Sequence, residues 1–387
     1  VNVKVGPDVP GRDDLMKEIK DIFRTSGIQG SLNSGGAAEG AMTWELFPDA
    51  RMKGEGYDLS VGLGKATVRA GSFGGFFNAL QTLRQLVFNR EGEFAMPVVR
   101  ISDKPAFVLR GIMLDVGRYY MSPALIKEMM RRLSRYKINT LHLHLTDDPA
   151  WRLEVKKYPA LTDGAFHWKS RLPGRFYTQA QLKDLTDYCA RLNIQVIPEI
   201  DMPGHSQPFS RAMKTGMQTE KGVSILKDVV DEAVSLFPGR FFHMGSDEAH
   251  ISMKDFIPRM AEHIRGKGKE VVVWSPGGPH DKDSVLMCWG ENEAGARMDK
   301  NMKRIDSNGF YIDWADSLSG VYQVFFQQPC EVPQGDDKAL GVIMPVWCDG
   351  NLSSEMRVLE QYPFYPCALT FAERVWRGSA TKRRDYM

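Results

Sequence analysis

No run of about 18 uninterrupted apolar residues occurs, so a membrane-spanning helix is not expected. Charge of one sign is also missing. The 387 residues carry 50 Lys and Arg against 48 Asp and Glu, and the only basic run is Lys382, Arg383 and Arg384 near the end. That excludes a nucleic-acid surface and makes an uncharged partner the expectation. Cysteine is sparse: Cys189, Cys288, Cys330, Cys348 and Cys367 are scattered without C-x-x-C spacing. Neither a zinc cluster nor a disulfide framework is indicated, and the odd count leaves a free thiol or an intermolecular bridge. A phosphate-binding G-x-x-x-x-G-K-[ST] loop is absent too. Gly64-Lys65 is followed by Ala66, with Leu59 where the first glycine belongs, so the SDEAH stretch ending at His250 is not a helicase box.

With 43% hydrophobic and 25% charged residues, the chain is long enough for a large core beside a smaller one. Residues 1–106 read as a small α+β domain, with a helix near Asp13 to Thr25, strand-like pieces such as Ala66 to Ala70, and an apolar helix from Gly74 to Val87. Residues 107–387 change to alternating strand and helix. Eight short apolar runs fit strands: Arg110 to Val116, Thr140 to Leu145, Ile194 to Ile200, Phe241 to Gly245, Val271 to Trp274, Val285 to Trp289, Phe310 to Asp313 and Val342 to Trp347. Ser122-Pro123 and the Thr178/Gln181 capping box start two of the connecting helices. The expected fold is a (β/α)8 TIM barrel preceded by the α+β domain, although too little sequence separates the fifth and sixth strands for a full helix. An open doubly wound sheet is the alternative.

Reactive residues of such barrels follow the carboxyl ends of the strands. Here those positions hold Asp115 and Arg118; Asp147 and Asp148; Glu199, Asp201 and His205; Asp247, Glu248 and His250; Trp274; Trp289; Tyr311 and Asp313; Trp347 and Asp349. A sugar offers an apolar C–H face and a rim of hydroxyls, which tryptophans and charged groups suit. A core role for the tryptophans is the plainer reading of each. Glycosidic cleavage needs a proton donor and a group that stabilises positive charge at the anomeric carbon. Asp247 and Glu248 can divide those tasks, because close carboxylates do not ionise independently. A solvated acidic turn is the plainer reading of such a pair, but this one closes the buried-looking strand FFHMG.

Two other readings stay open. His142-x-His144 with His205, His243 and Asp247 could form a zinc site of a metal-dependent barrel hydrolase. A catalytically inactive glycan-binding protein on the same barrel is the other. The sequon at Asn351 reads as chance, and Val1 in place of Met fits removal of an export signal, giving a secreted, periplasmic or cell-surface expectation.

RGIMLDVGRYY (Arg110 to Tyr120), LHLHLTDDPAWR (Leu141 to Arg152), VIPEIDMPGHS (Val196 to Ser206), HMGSDEAH (His243 to His250) and LTFAERVW (Leu369 to Trp376) together resemble glycoside hydrolase family 20, the β-N-acetylhexosaminidases. The resemblance implies removal of a terminal β-linked N-acetylhexosamine from a glycan, without cofactor or metal, through a substrate-assisted, retaining mechanism. It implies Glu248 as general acid, Asp247 orienting the 2-acetamido group, and Tyr311 bonding the acetamido oxygen. Arg118, Asp313 and Asp349 would bind sugar hydroxyls, Trp274, Trp289 and Trp347 would line the pocket, and Asp147 with His205 would tune Glu248. The chain departs from the family pattern in five places. Ser246 replaces a glycine, Pro149-Ala150 replaces Gln-Gly, and the shorter Asp349 replaces a glutamate. The segment from Ser206 to Phe242 is short and Ser319 to Gln328 lacks a tryptophan, so a narrower or weaker activity is expected.

Overall fold

A computed structural model describes residues 1–28, 31–32, 42–90, 93–290, 299–312, 316–350, 352–361 and 364–378. Asp313, Asn351 and the Lys382 to Arg384 cluster lie outside them.

The chain divides into two compact units. The first comprises 1–105 with 135–137 and 191–193, the second the remainder. In the first, a six-stranded sheet runs in the order Ser31–Leu32, Asn2–Val5, Thr43–Pro48, Lys65–Ala70, Tyr57–Gly62 and Val99–Asp103. Its central strands alternate buried and exposed side chains, the period-2 signature of a sheet covered on one face. Helices Arg12–Ser26 and Phe73–Leu86 close on the expected segments and bury Leu15, Ile19 and Ile22 from one and Phe76, Leu80 and Leu83 from the other.

The second unit is a closed barrel of eight parallel strands: β1 (Leu109–Asp115), β2 (Thr140–His144), β3 (Gln195–Glu199), β4 (Phe241–His243), β5 (Glu270–Ser275), β6 (Val285–Cys288), β7 (Lys303–Asp306) and β8 (Ala339–Val346). The strands are buried on both faces, as a helix-wrapped barrel requires. Closure between β8 and β1 depends on Gly341, at φ +148°, where a Cβ would lie 1.8 Å from the Leu109 carbonyl oxygen.

The capping signals behave as chemistry predicts. Leu125 N–H donates to Ser122 Oγ at the start of α1 (Pro123–Ser134). At α2 (Gln179–Arg191), Gln181 N–H donates to Thr178 Oγ1 while Thr178 N–H donates to Gln181 Oε1, the two halves of a capping box. Between β5 and β6, residues 276–284 form no helix.

One strand differs from expectation. The seventh is Lys303–Asp306, not Phe310 to Asp313. Its sequence looks polar because two of its charges are buried with partners: Arg304 Nη1 donates to the Lys300 carbonyl, and Asp306 accepts from the N–H groups of Cys330 and Asn308. Phe310 and Ile312 are buried beyond the strand, Phe310 edge-on to Phe371. No disulfide joins the five cysteines, all buried, and no described helix is long and apolar enough to cross a membrane.

Candidate active site

The carboxyl ends of the strands surround a cavity of about 290 Å³. Arg118, His205, Asp247, Glu248, Trp274, Trp289, Tyr311, Trp347 and Asp349 line it, as do His144 and Asp201. Nine of the expected site residues therefore meet in one hollow. Asp147 stands just behind its wall. Volume and lining suit a single sugar ring with its substituents.

The turn after β4 presents the acidic pair. Gly245, Ser246 and Glu248 have φ of +68°, +85° and +47°, a left-handed run that throws residues 247 and 248 into the cavity. Gly245 is obligatory, since a Cβ there would sit 1.8 Å from Asp201 Oδ1. Ser246 adopts the same region with a side chain, at the strain cost of a non-glycine residue. Glu248 is 59% exposed at the mouth. Asp247 lies deeper, and burial first, then the buried Glu199 carboxylate, push its pKa up to about 7. Glu248 is a lesser contributor to that rise, so the pair's mutual repulsion, the cause expected from adjacency, comes behind desolvation.

His205, at φ +42° past β3, bridges carboxylates. Its Nδ1 is 3.6 Å from Asp147 Oδ1 and its Nε2 is 3.5 Å from Glu248 Oε2. Asp147, in a two-residue hairpin strand past β2, also contacts His144 Nε2 at 2.9 Å and Arg118 Nη2 at 3.1 Å. Burial opposes its charge, but those cations hold its carboxyl below the usual range.

Arg118 gathers three carboxylates: Nη1 to Asp115 at 3.1 Å, Nη2 to Asp147 at 3.1 Å and Nε to Asp349 at 3.2 Å. Its guanidinium lies over the Trp347 ring, 4.8 Å from the centroid. Burial disfavours the charge, and the three carboxylates outweigh it.

The tryptophans differ in role. Trp289 and Trp347 are partly buried walls, and Tyr311 stands 6.4 Å from Trp347 between ring centroids. Trp274 is 1% exposed and belongs to the barrel core, so it floors the pocket. Its Nε1–H donates to Glu199 Oε1 at 2.8 Å.

Glu199 was legible as a strand-end acid, but its role was not. Its two oxygens meet His142 Nε2 at 2.8 Å, His144 Nδ1 at 2.8 Å and His243 Nδ1 at 3.3 Å besides Trp274. Burial, with the surrounding histidines, pushes the His142 pKa down to about 4 despite Glu199. Burial also opposes a charge on His144, yet Glu199 and Asp147 raise its pKa well above the ordinary histidine value. Asp201 is driven up by burial, then by Glu199 and Asp247. A charged residue inside an apolar strand was the available signal.

The histidines named as zinc ligands divide between two places. His142, His144 and His243 converge on Glu199, while His205 faces Asp147, Asp148 and Glu248. Metal-ligand atoms come together as His142/Glu199/His243, His144/Glu199/Asp201 and Asp147/Asp148/His205. The set comprising His142, His144, His205, His243 and Asp247 does not form one cluster.

The sequence model described as "Glycosyl hydrolase family 20, catalytic domain" matches residues 107–222, and that for "Glycosyl hydrolase family 20, domain 2" matches residues 1–104. A Beta-hexosaminidase of Porphyromonas gingivalis is 30% identical over 86% of this chain and 52% of its own length, so the chain spans about half of that relative. A Beta-N-acetylhexosaminidase of Cellulomonas fimi is 28% identical over 91% of this chain and 79% of its own. The solved GH20 beta-N-acetylhexosaminidase of Streptomyces coelicolor superposes with a TM-score of 0.83 at 25% identity, over all of this chain and 89% of that one. Two domain models of one family together match residues 1–104 and 107–222, more than half of the chain, the whole chain superposes on a solved member, and the chain belongs to glycoside hydrolase family 20.

Proposed function

We propose that this protein is a retaining exo-β-N-acetylhexosaminidase that removes a terminal β-linked N-acetylglucosamine or N-acetylgalactosamine from a glycan. Residues 107–387 would be the catalytic domain and 1–106 its companion. The observation that carries the reading is one cavity shared by Asp247, Glu248, Arg118, Tyr311, Trp289 and Trp347.

In this reading the acetamido carbonyl oxygen attacks the anomeric carbon as the bond to the leaving oxygen breaks, and Glu248 gives that oxygen its proton. Asp247 accepts the acetamido N–H and stabilises the positive charge of the oxazolinium. Tyr311 donates to the acetamido oxygen. Water then adds to the anomeric carbon and leaves its proton on Glu248, and the carbon–oxygen bond to the acetamide opens. Configuration is retained. Arg118 and Asp349 grip ring hydroxyls, the aromatic walls cover the C–H face, and Asp147 with His205 orients and tunes Glu248. Asp313 would join the hydroxyl grip.

A panel of aryl β-glycosides differing at C2 and C4 tests this. Both N-acetylhexosaminides should be cleaved, the 2-hydroxy glucoside should not, and a thiazoline analogue of the cyclised intermediate should inhibit. Cleavage of the glucoside at a comparable rate contradicts the reading. Sugar binding with no turnover would favour the inactive glycan-binding alternative.

A further inference from the structure

We propose that Arg171, which does not line the cavity, is a positioning residue that fixes the reach of Asp349 and so sets discrimination at the hydroxyls this carboxylate grips. The inference rests on the glycosidase reading above.

Arg171 comes from the long connection after β2, yet its guanidinium is spent on the loop after β8. Nη1 donates to the carbonyl oxygens of Cys348 at 2.9 Å and Gly350 at 2.8 Å, and Nη2 donates to that of Asp349 at 2.5 Å. Only 9% of the residue is exposed. A buried cation is costly unless well bonded. Here its acceptors among the described residues are three successive backbone carbonyls and no carboxylate. Such an arrangement adds little as an ion pair and defines a backbone path closely.

A second arginine supports the first. Arg152, wholly buried, donates from Nη2 to the Arg171 carbonyl at 2.6 Å and from Nη1 to those of Leu172 and Arg175. Its Nε donates to the Val116 carbonyl beside the Arg118 turn. Arg152 therefore fixes the backbone of Arg171, and Arg171 fixes the backbone of Asp349. From the opposite side, the Cys348 N–H donates to Asp115 Oδ2 at 3.0 Å. The loop is held on both flanks, and the Asp349 carboxylate emerges 48% exposed, 3.2 Å from Arg118 Nε.

Why this matters follows from chain length. An aspartate has one χ angle fewer than a glutamate to adjust its carboxylate, so its position is dictated by its backbone. A loop displaced by a fraction of an ångström moves the carboxylate by as much, and a hydrogen bond to a hydroxyl weakens steeply with that error.

The test is a double-mutant cycle of Arg171→Ala and Asp349→Ala, read as kcat and KM on aryl β-N-acetylglucosaminide and aryl β-N-acetylgalactosaminide. Arg171→Ala should raise KM about tenfold with kcat changed far less, the loss of a charge-assisted contact. It should shift the preference between the two C4 epimers in the same direction as Asp349→Ala, and should add little once Asp349 is gone. Guanidinium ion at millimolar concentration should restore part of the loss. If Arg171→Ala does not fold, Arg171→Lys carries the same cycle, since an ammonium cannot reach three carbonyls at once. Independent, multiplying losses or an unchanged epimer preference overturn the positioning role while leaving the glycosidase reading intact. A wild-type protein silent on both substrates overturns the reading and this inference with it.

Discussion

Glu199 Oε2 lies 2.8 Å from His144 Nδ1 inside the barrel, with both side chains closed to solvent. His144 turns its other nitrogen to Asp147, so a buried carboxylate in β3 is linked through one imidazole to the Asp147–His205–Glu248 line at the pocket mouth. Removing one partner of such a pair leaves its charge uncompensated. Glu199→Gln should destabilise the fold by about 3–5 kcal/mol in denaturant unfolding. A change within experimental error would show the pair to be dispensable. The variant should also lower the Asp247 pKa, since Glu199 is the second contributor to its rise.

Asp247 gives a pH prediction with a definite sign. Its folded pKa of about 7 lies above the ordinary 3.8, so the folded state binds its proton more tightly than the unfolded chain does. Stability from this group is therefore complete in acid and declines as pH rises from about 4 to 7. Asp247→Asn escapes the penalty. It should be more stable than wild type by about 1–4 kcal/mol at pH 8, with the difference vanishing near pH 4. Unfolding free energies at the two pH values check this. The wild-type kcat/KM should likewise fall as pH drops through about 7, where the proposed acceptor of the acetamido N–H takes up a proton, and Asp247→Asn should lack that limb.

Glu248→Gln should lower kcat by about 10²–10⁴-fold on substrates with poor leaving groups while KM moves little, because the proton is needed only as the bond breaks. Read as kcat/KM, which ends at the bond-breaking step and leaves out the later water step, the loss should shrink sharply with a dinitrophenolate leaving group, which needs no proton. Equal losses of kcat/KM on both substrates would deny Glu248 the role of acid.

Ser246 occupies φ +85° with a buried hydroxyl that has no hydrogen-bond partner among the described residues. Ser246→Gly removes the strain and the stranded hydroxyl, offset by the greater entropy of a glycine when unfolded. A net gain of about 1 kcal/mol in stability, seen as a raised Tm, is expected. A lowered Tm would mean that the serine side chain makes a contact that holds the turn.

The barrel was legible because seven of its strands are apolar runs bounded by turns, a pattern that burial on both faces requires. β7 was not, because Arg304 and Asp306 are buried by pairing with loop groups that sequence periodicity does not register. The site was legible to the extent that its groups follow strand ends, and the shift of β7 left Tyr311 in the pocket all the same. Trp274 lines the pocket as its floor, not beside Trp289 and Trp347 as a wall, since strand-end position does not tell how far a ring turns inward. Arg171 was invisible: its function lies in bonding to a backbone 177 residues away, and neither composition nor spacing encodes such a partner.

The most direct test of the account measures aryl β-N-acetylglucosaminides whose acetyl methyl carries none, one, two or three fluorines. If the amide oxygen is the nucleophile, kcat/KM should fall steeply and progressively as fluorine withdraws electron density from it. A flat series across the four substrates would contradict the substrate-assisted mechanism.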